Sequence, residues 1–260
     1  MNRRKGLNTI DAYACSSGLK NVNASYKIIL SMAMICTVIA ADRIIISLIV
    51  LLAASLATVL LGRIPVRVYA GFYKIPMAFL IMSTVAIAFG ISTGVSGDFW
   101  IRLGPVYIYS TYQGIINGFR LYFKALGAVS SMYFLALSTP AGEVVSALKG
   151  FHLPGIIIEL MNMIYRFIFV LMDTQASMQT AARSRLGYQG FKTSCRTFGL
   201  IGASLLVVSM KKAGAYYDAL IARGYEGQLL FLEEEKSVNG TQILAFIGFF
   251  LLIALVIWLT

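Results

Sequence analysis

The first long apolar stretch, Ile28–Leu61, reads IILSMAMICTVIAADRIIISLIVLLAASLATVLL and decides the class of fold. It is far longer than the roughly 20 apolar residues that one helical membrane crossing needs. Asp42 and Arg43 stand near its middle, and a charged pair at the centre of a bilayer is costly. We therefore expect two membrane helices joined by a tight turn at this pair.

The composition of the whole chain supports a membrane protein. Of its 260 residues 58% are hydrophobic and 13% are charged, which is more apolar side chain than a soluble domain of this size can cover. Three further apolar segments, Ile75–Gly90, Gly114–Leu137 and Thr241–Leu259, bring the expected number of spans to five. The sequence predicts an all-α membrane protein.

The expected spans divide the chain into three parts. Residues 1–137 hold the N-terminal segment and transmembrane helices 1–4, residues 138–240 form a cytoplasmic helical region between spans 4 and 5, and residues 241–260 form the last span. The formal net charge is +11, and the 22 Lys and Arg residues lie mainly between apolar runs. Their distribution favours a cytoplasmic N-terminus by the positive-inside rule, and nucleic-acid binding is not expected.

Few residues offer catalytic or metal chemistry. The three cysteines are far apart and there is one histidine, so neither a disulfide framework nor a histidine metal site is expected. The chain has no G-x-x-x-x-G-K-[ST] phosphate loop and no HExxH sequence. We expect no catalytic residue and no cofactor in this chain, which leaves an intramembrane enzyme without an evident acid-base set.

The region 138–240 is predicted to contain two long helices. Thr139-Pro140 and Glu143 indicate a helix start, and Pro154-Gly155 indicates a stop. The long helices, residues 156–187 and 198–224, each begin apolar and end polar and basic. They are either two more spans, seven in all, or helices at the inner membrane surface; we favour the second because the later apolar run is short for a crossing.

Two polar residues interrupt the apolar half of the first long helix. Glu159 and Arg166 are seven positions apart and therefore share one helix face. We interpret them as a structural polar pair between crossing helices rather than as a substrate site.

Both long helices end in an Ala-Arg dipeptide followed by a Gly-Tyr-x-Gly sequence. The first end, Thr180–Gly190, reads TAARSRLGYQG, and the second, Ile221–Gly227, reads IARGYEG. Arginine in a last helical turn complements the helix dipole, and Gly187 and Gly224 are expected to supply the left-handed residue after each helix. Each arginine is either a solvated cap or a bidentate anchor for a partner carboxylate.

Five stretches together resemble a known family. In chain order they are IDAYACSSGLKNVNASYK, LALSTP, IYRFIFVLMD, AARSRLGYQG and AYYDALIARGYEG. This set resembles the transmembrane (T) component of energy-coupling factor (ECF) transporters, and it looks most like the CbiQ-type subunit of cobalt importers. The resemblance covers essentially the entire chain.

The resemblance implies a non-catalytic scaffold in the prokaryotic plasma membrane. Such a subunit joins two ABC-type ATPases, which bind the ATP and Mg, to a membrane-embedded substrate-binding S component of CbiM-like type, with a small accessory membrane subunit in some assemblies. The implied ATPase-docking residues are Ala182, Arg183, Ser184, Ala222, Arg223 and Gly224. Arg185 lies two positions beyond Arg183, and which of them makes the main contact is open.

The transported substrate is implied by the resemblance alone. Cobalt ion is the expected substrate, and nickel, biotin or another vitamin are alternatives. A stand-alone secondary permease is the rival function, but it would need ionisable groups inside its spans. Between Ile75 and Leu137 the chain offers Asp98, Arg102, Arg120 and Lys124, and the first two fall in the expected outer loop.

Overall fold

The computed structural model describes residues 7–41, 43–92, 99–103, 106–151 and 154–226, together with residues 240, 244, 248, 249 and 251. The chain forms two compact units. The first unit comprises residues 1–144 and 235–260, and the second comprises residues 145–234. The expected fifth span, Thr241–Leu259, falls largely outside the described residues.

Within the described residues, the first unit is built from five helices and a small sheet, followed by a sixth, short helix. The elements in order are α1 (Leu7–Ser16), α2 (Ala24–Ala41), α3 (Ile44–Leu56), a π-helical turn (Ala57–Leu61), α4 (Val66–Ala88), β1 (Phe89–Ser92), β2 (Phe99–Leu103), β3 (Val106–Ser110), α5 (Tyr112–Ser138) and α6 (Ala141–Ala147). The expected all-α membrane class is confirmed, and the three short strands are an addition to it.

The break in the first apolar stretch is confirmed. Helix α2 ends at Ala41 and α3 begins at Ile44. Arg43 has an extended backbone, with φ −118° and ψ 133°, so the chain leaves helical geometry where the sequence places the charged pair. One long apolar stretch thus becomes two helices.

Helix α4 is longer than the sequence analysis predicts. It begins at Val66, directly after Pro65, and continues through Pro76 to Ala88, whereas the expected span began at Ile75. Proline is well suited to the position before a helix because its φ is fixed. An internal proline is tolerated in membrane helices, whose neighbours re-satisfy the freed backbone groups.

The segment between α4 and α5 contains a three-stranded antiparallel sheet in the order β1-β3-β2. Strand β3 is central, with Ile108 opposite Ile91 of β1 and Ile101 of β2. The sequence analysis assigned this segment to an outer loop and did not predict strands.

Helix α5 is the centre of the first unit and packs against α1, α2, α3 and α4. Small residues on α5 allow this close packing: Gly127, Ser130 and Ser131 are buried. The Ser31 hydroxyl donates to the carbonyl of Ser131 at 2.9 Å, and the Ser130 hydroxyl donates to a carbonyl of α3 at 3.2 Å. The main apolar cluster comprises Leu30, Met34, Val38, Ile46, Val50, Ala54 and Phe134.

The second unit contains two long helices, α7 (Gly155–Ser184) and α8 (Phe191–Ala222), preceded by a short 3₁₀ turn (Leu148–Phe151). Helix α8 begins seven residues before the predicted Phe198 start, because Gly190 precedes it in extended geometry and its carbonyl accepts the Ser194 N–H at 2.8 Å. The turn after α7 contacts the start of α8, where the Thr197 hydroxyl donates to the Gly187 carbonyl. The two helices therefore form an antiparallel hairpin.

Six helices among the described residues are long and apolar enough to cross a membrane by length and composition. They are α2, α3 with its π-helical turn, α4, α5, α7 and α8. The protein is a multi-pass membrane protein. For α7 and α8, which the sequence analysis assigned to the inner membrane surface, the placement relative to the bilayer stays a prediction.

We predict that Gly127→Val destabilises the first unit. A Cβ at Gly127 would lie 3.0 Å from the Ser47 carbonyl oxygen and 3.4 Å from Val38, and overpacking of this kind costs about 1–3 kcal/mol. The matched control is Gly71→Val on α4, where a Cβ meets nothing within 4 Å. Thermal unfolding of the purified protein in detergent measures both. Equal melting temperatures for the two variants would contradict the packing described here.

Candidate docking site

The C-terminal end of α7 closes with two backbone hydrogen bonds. Ala182, Arg183 and Ser184 are its last residues, and Arg185 is the capping residue. The Gly187 N–H donates to the Ala182 carbonyl at 2.9 Å, and the Leu186 N–H donates to the Arg183 carbonyl at 3.1 Å. This pair of bonds is the Schellman motif, which satisfies carbonyls that a helix end otherwise leaves unpaired.

The left-handed residue of this cap is Leu186, with φ 59°. The expectation that Gly187 adopts this conformation is therefore wrong. Gly187 is required for another reason: a Cβ there would lie 2.9 Å from both the Ala182 carbonyl oxygen and Thr197 Oγ1. The Thr197 hydroxyl donates to the Gly187 carbonyl at 2.7 Å, so the glycine permits close approach of α8 to the turn.

The C-terminal end of α8 closes in the same way. The Tyr225 N–H donates to the Leu220 carbonyl at 3.1 Å, and the Gly224 N–H donates to the Ile221 carbonyl at 2.9 Å. Gly224 has φ 78°, as the sequence analysis expects for this residue. Both long helices thus end in a Schellman motif.

The common cap geometry defines which residues of the two ends are equivalent. Arg185 caps α7 and Arg223 caps α8. Ser184 is then equivalent to Ala222, and Arg183 is equivalent to Ile221. By sequence alone, Ala182-Arg183 would match Ala222-Arg223. The backbone instead matches Ser184-Arg185 with Ala222-Arg223, two residues further along α7.

The arginines at the end of α7 have different surroundings. The guanidinium carbon of Arg183 lies 6.0 Å from the ring centroid of Tyr188, within cation–π range. Arg185 lines an open cavity of about 440 Å³ between α7 and α8. The other residues around this cavity are Met178, Ala181, Ala182, Gly187, Thr197, Leu200, Ile201 and Ser204.

The two capped ends lie at opposite ends of the hairpin. The Lys212 amine donates to the Thr174 hydroxyl at 3.2 Å midway along it, and the Tyr225 hydroxyl donates to Glu159 at 3.0 Å at the far end. Helix α8 has 32 residues, which at ~1.5 Å per residue corresponds to about 48 Å. Arg185 and Arg223 are therefore separated by about the length of this helix.

The structure places Glu159 and Arg166 on the same side of α7 but gives each its own partner on or next to α8. Glu159 accepts the Tyr225 hydroxyl, and this hydrogen bond raises the pKa of Tyr225. The guanidinium carbon of Arg166 lies 5.9 Å from the ring centroid of Tyr216. No ion pair between Glu159 and Arg166 occurs in the described part of the chain, so these residues join the two helices separately.

The aromatic partners Tyr188, Tyr216 and Tyr225 were not identified from the sequence. Their signal is present in it, since each tyrosine lies at a helix end or within the polar half of α8, where an apolar ring with a polar tip bridges two helices. Within the described residues, no group of three His, Cys, Asp or Glu side chains could hold a metal ion.

We predict opposite effects of two substitutions at the left-handed positions. Leu186→Gly removes the strain of a leucine at φ 59° and should stabilise the end of α7 by about 1 kcal/mol, whereas Gly224→Ala introduces strain at the end of α8 by a similar amount. Hydrogen exchange of the last-turn amides measures each effect locally. Slower exchange at α7 in Leu186→Gly and faster exchange at α8 in Gly224→Ala are expected; the same sign at both ends would contradict the cap geometry.

A model of the cobalt transport protein family CbiQ matches residues 16–238. An uncharacterized protein of Methanocaldococcus jannaschii is 30% identical over 254 residues, covering 95% of this chain and 92% of that protein. A putative fused cobalt transport protein, CbiMQ, of Methanocorpusculum labreanum is 25% identical over 95% of this chain and 41% of its own length.

A third relative is named CbiQ alone, without a fused CbiM part. The cobalt transport protein CbiQ of Rhodobacter capsulatus is 28% identical over 187 residues, which is 72% of each chain. The family match extends over α2 to α8 and includes both capped helix ends. The chain is a membrane protein that belongs to the CbiQ family of cobalt transport proteins.

Proposed function

We propose that this chain is the T component of an ECF-type importer for cobalt ion. It couples ATP hydrolysis by two cytoplasmic ABC-type ATPase subunits to movement of a membrane-embedded S component. The observation that carries this proposal is the pair of identical helix caps, each with an arginine at the capping position, at opposite ends of one hairpin.

The backbone geometry favours docking over simple capping by these arginines. A solvated arginine at a helix end would donate to the last carbonyls of the helix. Here the carbonyls of Ala182, Arg183, Leu220 and Ile221 already accept backbone N–H groups. These backbone bonds close each cap without a guanidinium group, so Arg185 and Arg223 can bind a partner carboxylate through two parallel hydrogen bonds.

Between the two arginines at the end of α7, the proposal assigns the main contact to Arg185. It occupies the same capping position as Arg223 and faces an open cavity, whereas Arg183 lies over the Tyr188 ring. Ser184 and Ala222 precede the two arginines and are both small. A small side chain there lets each helix end enter a groove on its partner.

The separation of the ends accounts for two ATPase subunits. Two sites about 48 Å apart along a helix of 32 residues are too distant for one small domain of about 100 residues, whose radius of gyration is about 13 Å. Each end is therefore assigned to its own subunit. Packing of Phe167 against Tyr216, with ring centroids 5.3 Å apart, and the Thr174–Lys212 hydrogen bond join the helices between the ends.

The proposed mechanism is mechanical. ATP binding draws the ATPase subunits together, and the two docked helix ends move with them. Because α7 and α8 are joined along their length, the hairpin re-angles as one body at the inner side of the membrane. This movement tilts the S component, so that its bound substrate is released to the cytoplasm. No step requires a catalytic residue or cofactor in this chain; ATP and Mg are bound by the ATPases.

The fused relative from Methanocorpusculum labreanum supports the choice of partner and substrate. Its printed name joins a CbiM part to a CbiQ part and refers to cobalt transport, and this chain matches 41% of its length. A CbiM-type S component is accordingly the partner that we propose for this chain, in the plasma membrane of a prokaryote and with a cytoplasmic N-terminus.

We predict that the arginine variants lose ATPase binding to different extents. The complex with its ATPase and CbiM-type partners is purified from cells that carry Arg183→Ala, Arg185→Ala or Arg223→Ala. Loss of an interface arginine at a central contact costs about 2 kcal/mol, so Arg185→Ala and Arg223→Ala should each retain roughly one-thirtieth of the ATPase affinity. Arg183→Ala should retain most of it.

The matched control is Arg196→Ala, which removes the same charge from an exposed position of α8 near Arg185. A loss in Arg196→Ala equal to that in Arg185→Ala would mean that general positive charge, rather than the capping arginine, holds the ATPases.

A second prediction concerns transport itself. In proteoliposomes that contain the wild-type complex, uptake of radioactive Co²⁺ should require ATP, and Arg185→Ala/Arg223→Ala should abolish it. Nickel and biotin serve as competing substrates in the same assay. Uptake of Co²⁺ by the purified chain alone, without ATPases, would support the stand-alone permease instead.

A further inference from the structure

Lys27 is a fully buried lysine at the start of α2, with 0% of its surface exposed. Its amine donates to the Ser138 carbonyl at 2.9 Å and to the Leu19 carbonyl at 3.2 Å. Glu143 Oε2 lies 4.0 Å from the same amine. Lys27 thus joins the start of the first expected span to the end of α5 and to α6.

The carbonyl contact is the stronger of these interactions. Ser138 is the last residue of α5, and the C-terminal carbonyls of a helix carry partial negative charge that favours a cation. The hydrogen bond to Ser138 is short and buried, whereas Glu143 Oε2, although also buried, lies 4.0 Å from the amine and beyond hydrogen-bond distance. Two backbone oxygens, of Ser138 and Leu19, thus help to offset the burial of the lysine charge.

A second contact fixes the same segment from another side. The Ala141 N–H, at the start of α6, donates to Asp11 Oδ1 of α1 at 3.2 Å. Between the two contacts the backbone turns at Thr139, which has φ −133° and ψ 116° and is buried. The segment from Ser138 to Glu143 is thus held by α1 and α2 immediately before the chain enters the second unit at Val145.

We propose that Lys27 is a positioning residue for energy coupling. It fastens the segment Ser138–Glu143 to the membrane helices, so that movement of the second unit reaches α5 instead of being taken up by the bend at Thr139-Pro140. The coupling role of Lys27 rests on the proposed function. The fastening itself follows from the contacts of Lys27 and is tested independently of transport.

The first experiment measures the fastening in the purified full-length protein. Lys27→Met keeps an unbranched side chain that is one atom shorter, and it removes the three N–H donors. Hydrogen exchange of the α6 amides should accelerate about tenfold, the effect of losing a hydrogen bond to a charged group, while the amides of α8 should be unchanged. The matched control is Lys74→Met on α4, where the lysine is exposed. Unchanged exchange in α6 would overturn the proposal.

The second experiment measures coupling in proteoliposomes that contain the complete complex, with Co²⁺ as the transported probe. In Lys27→Met the number of Co²⁺ ions imported per ATP hydrolysed should fall at least several-fold while ATP hydrolysis continues. Glu143→Gln keeps the shape of the side chain and should lower this ratio less, because at 4.0 Å the carboxylate makes no hydrogen bond to the Lys27 amine. Lys27→Arg, which restores donors and charge, should recover part of the ratio.

The outcomes separate this inference from the proposed function. No ATP-dependent Co²⁺ uptake by the wild-type complex would contradict the proposed function. Wild-type uptake with an unchanged ratio in Lys27→Met, despite faster exchange in α6, would overturn the coupling role of Lys27. If Lys27→Met does not fold, Asp11→Ala removes the second contact at the surface and should produce the same two changes to a smaller degree; no change in either would overturn the inference.

Discussion

The carbonyl oxygens at the end of a long helix must find donors, and this constraint governs three decisive positions in the structure. The end of α5 finds a donor in the amine of Lys27. The ends of α7 and α8 find theirs in the backbone N–H groups of Gly187, Leu186, Tyr225 and Gly224. At the ends of α7 and α8 the backbone supplies the donors, so the neighbouring arginine is not needed as a donor. At the end of α5 the donor is a side chain, the buried Lys27.

These three helix ends distinguish two kinds of basic residue in a strongly basic chain: one that is used inside the fold and one that is exposed. Lys27 lies inside the first unit, and its charge is used within the fold. Arg185 and Arg223 lie at helix ends that are closed by backbone hydrogen bonds, and both side chains are exposed. Net charge alone cannot distinguish these roles, because a count of Lys and Arg residues gives no information on which carbonyls remain to be paired.

Sequence reasoning was most accurate where one physical cost dominated. The break between α2 and α3 was predictable because a charged pair at mid-membrane is expensive. The start of α4 was not, because the basic residues Arg67 and Lys74 indicated a polar connection before Ile75, although the helix begins at Val66. The segments FWIRL and VYIYS, rich in β-branched and aromatic residues, carry a strand signal that was overlooked in a chain classified as helical.

Both long helices end at the Ala-Arg sequences that the sequence analysis singled out, but which residues of the two ends are equivalent depended on the backbone. Ala182-Arg183 matches Ala222-Arg223 by letters, yet the caps make Arg185 and Arg223 equivalent. The reason is Leu186, which adopts a left-handed conformation that leucine rarely takes. A rule that assigns the left-handed conformation to glycine therefore selects Gly187, one position after the residue that adopts it.

The antiparallel arrangement of α7 and α8 makes the molecule inherently asymmetric. The end near Arg185 also carries Lys192 and Arg196, whereas the end near Arg223 carries Glu159 and Glu226. Under the proposed docking, two copies of one ATPase would consequently meet unlike electrostatic surfaces on a single subunit. An inequality between the two nucleotide sites would then arise from the fold of this chain, even when the ATPases themselves are identical.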